Sequence, residues 1–167
     1  MRLAYTMTDG SRELDPLLHE VALAAIARGR RLAGIVQVNH DRPETERCDM
    51  DAIVLPDGPV IRISQSLGPA ARGCRLDAAA LEAAVAAAEA RLSEGAELLI
   101  VNKFGKQEAA GRGFRPVIAA ALEAGADVLV GVNPMNRDAL EAFTEGAAER
   151  LPPRADALLA WIGAGAD

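Results

Sequence analysis

Residues 98–115, Leu-Leu-Ile-Val-Asn-Lys-Phe-Gly-Lys-Gln-Glu-Ala-Ala-Gly-Arg-Gly-Phe-Arg, hold the densest set of side chains able to do chemistry. An apolar run stops at Asn102. From Lys103 to Arg115 the chain then carries three glycines, four cationic side chains (Lys103, Lys106, Arg112, Arg115) and one acid, Glu108. A buried parallel strand looks like this where it delivers polar groups to its carboxyl end, and in α/β folds ligands sit at that end. A magnesium-dependent phosphohydrolase needs an Asp there to hold its metal. Asn102 and Lys103 suit an anion rather than a divalent cation. A charged loop is ordinarily solvated surface; the glycines and the strand end favour a functional one. In this reading Lys103, Lys106 and Arg112 meet a ligand's charge, and Asn102 and Gln37 orient it.

Thr6 to Asp15, Thr-Met-Thr-Asp-Gly-Ser-Arg-Glu-Leu-Asp, takes the place of a phosphate-binding loop. Such a loop needs glycines that let backbone N–H groups curl around a phosphate, and a Lys followed by Ser or Thr. Here there is one glycine, Gly10, and no lysine. Thr8, Gly10, Ser11 and Arg12 remain as candidates for holding an oxyanion, while Asp15 at the helix start would repel one. A solvated strand–helix connection is the alternative.

Cys48 and Cys74 form a third candidate set. Folding a hairpin about Asp57-Gly58 brings Cys48 near residue 67, a few residues from Cys74. Paired thiolates suit a transition metal or a redox switch; two unrelated buried thiols, reduced in a cytoplasmic protein, are the alternative. His19, His40, Ser64 and Ser66 make no catalytic triad.

These residues need a scaffold, and the hydrophobic pattern predicts one. Leu3–Thr6 reads as a buried strand. Asp15-Pro16 reads as a helix start, with Asp as N-cap and Pro in the first turn. Gly29 closes that helix, and residues 32–38 form the next strand. Residues 40–47 read as a charged loop. Residues 52–55 and 60–63 flank a Pro-Asp-Gly-Pro turn, as an inserted β-hairpin would. Asp77 caps a helix to about Ser93. Strands follow at 98–101 and 128–132, with helices at 114–123, 136–145 and 155–161. The α–β alternation predicts a three-layer α/β/α sandwich with a mainly parallel sheet, and residues 1–167 as one domain.

The chain is 167 residues long, 50% hydrophobic and only 3% aromatic, with a formal net charge of −6. Acidity argues against nucleic acid as a partner. No run approaches a membrane span and the N-terminus lacks a signal peptide's apolar core, so a cytoplasmic location and no membrane partner are expected.

The order of elements resembles small P-loop nucleoside triphosphatases of the thermophilic type. In that group a strand ends in Asp-Glu, followed by a hydrophobic residue, Gly, two residues and Glu. Residues 99–108 align with this, keeping Gly105 and Glu108 and replacing the metal-binding Asp by Asn102 and the catalytic Glu by Lys103. More closely, the chain resembles a bacterial family of unknown function linked to molybdenum genes. That resemblance rests on Ala33–Gln37, Cys48–Met50, Ile63–Gly68, Gly73–Asp77 and the loop 102–113. It implies a degenerate P-loop-like fold serving molybdenum metabolism, with no established reaction; the cationic, glycine-bearing loop adds the expectation that molybdate or another oxyanion, and no Mg-ATP, is bound. The partners implied are a small anionic ligand and a molybdenum-system protein or a second copy of the chain. The leading expectation is thus a non-hydrolytic binding protein for an anion or nucleotide-like ligand. The alternatives are a divergent nucleotidase or phosphotransferase using Glu108, and a metal-handling interaction module using Cys48 and Cys74.

Overall fold

A computed structural model describes residues 1–42, 47–65 and 75–165. The elements in chain order are β1 (Leu3–Met7), α1 (Ser11–Ala27), β2 (Leu32–Arg42), β3 (Arg47–Val54), β4 (Val60–Arg62), α2 (Ala78–Ser93), β5 (Leu98–Phe104), α3 (Lys106–Ala109), α4 (Arg115–Glu123), β6 (Asp127–Val132), α5 (Arg137–Phe143), β7 (Glu149–Leu151) and α6 (Ala155–Gly163). One seven-stranded sheet runs in the order β4-β3-β2-β5-β6-β1-β7. The five strands from β2 to β7 in that order are mutually parallel, and β3 and β4 extend one edge as an antiparallel hairpin. The mainly parallel α/β/α sandwich with an inserted hairpin is therefore what the chain adopts.

The first four residues of β5, Leu98 to Val101, show why that run is apolar at every position. Leu98 and Ile100 face one layer, packed with Leu14, Leu18 and Val21 of α1 and Leu158 and Ile162 of α6. Leu99 and Val101 face the other, packed with Leu81, Ala84 and Ala88 of α2, Val117 and Ile118 of α4, and Leu140 of α5. A strand covered on both faces has no polar side to alternate. Two glycines set the closeness of these layers. A Cβ on Gly34, at φ +109°, would overlap the Ile100 carbonyl oxygen of the neighbouring strand, and one on Gly131 would meet Leu18 Cδ1 at 2.5 Å.

Three elements depart from the pattern-based expectation. First, α1 begins at Ser11 with Gly10 as N-cap, so Asp15-Pro16 lies inside the helix rather than at its start. Burial of Leu14 against the sheet and the partners of the Asp15 side chain outweigh the local start signal. Second, β2 continues to Arg42 and β3 starts at Arg47, so much of the expected charged loop is strand. The charges sit on the exposed end of that hairpin, where Arg42 and Arg62 pair with Asp49. Third, β7 carries no sequence signal: two of its three residues are exposed and charged. It forms by pairing with β1 through Ala4, Tyr5 and Thr6. No helix among the described residues is long and apolar enough to cross a membrane.

Candidate functional site at the carboxyl edge of the sheet

Register places the candidate residues on one edge. Met7 pairs with Val132, Asn102 with Gly131 and Ile35 with Val101, so Thr8, Asn133, Lys103 and Gln37 all emerge from the same end. Between Asn102 and Phe104 the β5–β6 register slips, with Lys103 as the extra residue. Successive residues of a regular strand point to opposite faces. A bulge re-aims a side chain, and here Asn102 and Lys103 both reach Asp15. The Asn102–Lys103 peptide is cis.

Asp15 is the hub. Its side chain projects from α1 and the residue is 1% exposed. Asn39 Nδ2 donates to Oδ2 at 2.7 Å. With its amide oriented as its neighbours require, Asn102 donates to Oδ1 at 2.9 Å and accepts the Gln37 backbone N–H at 2.9 Å. Lys103 Nζ lies 3.4 Å from Oδ1. Gln37 Nε2 donates to Asn39 Oδ1 at 2.8 Å, closing the network. Two amides and an ammonium thus converge on one carboxylate, and buried charge is stable in this manner only when paired and hydrogen-bonded.

The connection before α1 is three residues, Thr8 to Gly10. Thr8 Oγ1 donates to the Gly10 carbonyl and Gly10 caps the helix without a side-chain bond. Counted from Gly10, the second glycine, lysine and hydroxyl residue of a phosphate loop would fall at Asp15, Pro16 and Leu17, and residues 11–14 are already helical. Arg12 is exposed. Of this loop's candidates Ser11 is described by its backbone alone, as the first residue of α1.

Glu108 shapes the other side of the edge. It is 2% exposed, its Oε2 accepts the Gly105 N–H at 3.0 Å, and its Oε1 accepts the Phe114 N–H at 3.2 Å. Burial pushes its carboxyl above the ordinary value, against the opposing pull of those backbone bonds. Glu108 therefore ties both ends of the 105–114 loop to α3. Lys106 and Arg112 ride on that loop, exposed, and Arg112 Nε donates to Gln107 Oε1 at 3.0 Å. No hydrogen bond or ion pair among the described residues joins either cation to the Asp15 cluster.

Cys48 lies on β3 opposite Asp41 and is disulfide-bonded, not the reduced thiol expected. Cys74 falls outside the described residues. Among the described residues no group of three or more His, Cys, Asp or Glu side chains is placed to hold a metal ion.

A family model described as "Protein of unknown function (DUF2478)" matches residues 3–161. The chain belongs to the DUF2478 family. A curated relative, the Molybdenum import ATP-binding protein ModC 2 of Bradyrhizobium diazoefficiens, is 38% identical over 160 residues, which is 96% of this chain and 18% of that protein. The chain thus spans about a fifth of the length of that relative. Among solved structures, that of a human cancer-related nucleoside triphosphatase superposes with a TM-score of 0.62 at 14% identity, covering 98% of this chain and 97% of the other. At that identity the likeness is one of fold: a P-loop-NTPase-like α/β sandwich.

The fold group implies a magnesium-bound nucleotide, and the donor set of this DUF2478 member does not fit it. Mg²⁺ wants carboxylate and water oxygens, whereas β5 ends in an amide and an ammonium, and Asp15 is already engaged by both. The sequence pattern offers Asp15 as a helix cap that would repel an oxyanion, and gives no sign that it partners Asn39. Asp15 lies 24 positions from Asn39 and farther still from Asn102, beyond any local signal.

Proposed function

We propose that this domain is a non-hydrolytic binding module for a small anion or nucleotide-like ligand, serving molybdenum metabolism. The observation that carries it is the end of β5: Asn102 and Lys103, brought together by a bulge, place a neutral donor and an ammonium, both holding the Asp15 carboxylate, where a hydrolase would hold metal. Asn39 adds a third donor from β2. Lys106, Arg112 and Arg12 supply exposed positive charge around the rim, and Thr8 and Gly10 form the short connection beside it. The kinship with a molybdenum import ATP-binding protein supports molybdate or another oxyanion as ligand and a molybdenum-system protein as partner. Glu108, with both oxygens accepting backbone N–H groups, supports a structural role better than an acid–base one.

Calorimetric titration of the protein with molybdate, tungstate, phosphate and ADP tests this. Binding of at least one of them, lost in Lys103→Ala and unaccompanied by phosphate release from Mg-ATP, is the expected result. Silence from all four, or ATP turnover at an ordinary enzymatic rate, overturns the reading.

A further inference from the structure

The strand-edge donors already hold an anion, and it belongs to the chain. We propose that Asp15 is the resident occupant of an oxyanion cradle formed by Asn39, Asn102 and Lys103, and that an exogenous oxyanion enters by displacing it. This deepens the anion-binding reading of the same site and rests on it.

Three features of the site meet here. The first is convergence: Asn39 at 2.7 Å, Asn102 at 2.9 Å and Lys103 at 3.4 Å surround the two oxygens of one carboxylate. A carboxylate and a tetrahedral oxyanion make the same demands, negative oxygens met by N–H donors and a cation. The second is charge. Asp15 neutralises Lys103, so a free anion arriving at the occupied site meets a carboxylate rather than an ammonium. The third is the way Asp15 is tethered. It lies in the second turn of α1 directly before Pro16. Pro16 has no N–H to give the Arg12 carbonyl, and a residue preceding proline disfavours the helical conformation. Gly10 supplies no side-chain cap. The turn carrying Asp15 is therefore weakly held by helix hydrogen bonds, and Asp15-Pro16 is itself a favourable helix start. Shortening α1 to begin there would take Asp15 out of the cradle to cap the new end. Residues 8–14 would become a longer loop over the vacated donors.

The ligand class is an oxyanion, free or as the phosphate of a nucleotide. Molybdate, inorganic phosphate and AMP, titrated separately, distinguish these sources. Removing the carboxylate leaves the donors and the ammonium without a partner. Asp15→Ala should then bind at least one of the three about tenfold more tightly than the wild type or better, the scale of one charge interaction. The gain should vanish in Asp15→Ala with Lys103→Met. No gain, or a gain that survives loss of Lys103, overturns the cradle. Should Asp15→Ala fail to fold, amide hydrogen exchange on the wild type decides. Saturating molybdate should speed exchange at Leu14, Asp15 and Leu17, whose N–H groups lose their acceptors one turn earlier when α1 shortens, and unchanged or slower exchange contradicts displacement. The two readings fail separately. A wild type that binds nothing while Asp15→Ala binds oxyanion removes the proposed function and the displacement step, and leaves Asp15 as the fixed occupant of the cradle. A wild type that binds while Asp15→Ala gains nothing does the reverse.

Discussion

The Asp15 carboxylate and the Lys103 ammonium stand 3.4 Å apart, the first 2% and the second 18% exposed at the side chain. They join α1 to the end of β5, elements 88 positions apart in sequence at these residues, and set the charge of the carboxyl edge. Lys103→Met leaves Asp15 buried with two amide donors but no counter-charge. A loss of about 1–3 kcal/mol is expected, less than for a fully buried pair because Lys103 is partly solvated. Asp15→Asn in that background should recover most of it. Urea denaturation of the four proteins in a double-mutant cycle measures the coupling.

Glu108→Ala orphans the Gly105 and Phe114 N–H groups, of which the latter is buried. The expected loss is about 2–4 kcal/mol, the sum for two backbone donors left without an acceptor. Glu108→Gln keeps an acceptor oxygen and should fall between. Denaturation midpoints give the ranking, and equal stability of the wild type and Glu108→Ala would contradict the role of the loop tie.

Two carboxylates push acid stability in opposite directions. Glu108 titrates above its ordinary 4.5 because burial penalises its charge. Its folded state holds the proton more tightly than the unfolded chain does, so its stabilising contribution is present below pH 4.5 and is lost as pH rises through the raised value. Asp51 titrates below its ordinary 3.8, first through its hydrogen bond from Arg62. Its contribution is present above pH 3.8 and is lost as pH falls through the lowered value. The stability of wild type relative to Glu108→Gln should therefore decline as pH rises from 4 towards neutral. Relative to Asp51→Asn it should decline as pH falls below about 4.

Gly34→Ala should be far more damaging than Gly131→Ala. At Gly34 the new Cβ overlaps a main-chain oxygen of β5 at a left-handed φ, so two central strands must part. At Gly131 it meets the tip of Leu18, which can turn aside. We expect about 1–3 kcal/mol for the second, as for an overpacked core, and loss of the folded protein for the first. Circular dichroism melts of both variants check the order.

The layers were readable in advance because both faces of the central strands are covered: apolar runs at 32–38, 98–101 and 128–132, each bounded by glycine or a polar residue, announce buried parallel strands. Asp77 was recognisable as a cap and does accept from Ala79 and Ala80. The start of α1 was not, since Asp15-Pro16 is the better local signal and only Leu14 against β6 and the Asn39–Asp15–Asn102 contacts favour the earlier start. β7 escaped for a related reason: Glu149 and Arg150 look like surface, and the strand exists because β1 offers an edge. At the site, Asn102, Lys103 and Gln37 were identifiable from strand-end position. Asp15 as their shared partner depends on a bulge and on contacts across the sheet that spacing along the chain does not encode.

The central claim is that the end of β5 holds an oxyanion. A crystal of the wild-type protein soaked in molybdate and measured at the molybdenum edge tests it most directly. The account predicts an anomalous peak within hydrogen-bond reach of Lys103 Nζ and the Asn102 amide, with the Asp15 carboxylate moved away. Molybdenum found only elsewhere on the surface, with Asp15 still bonded to Asn39 and Asn102, would contradict it.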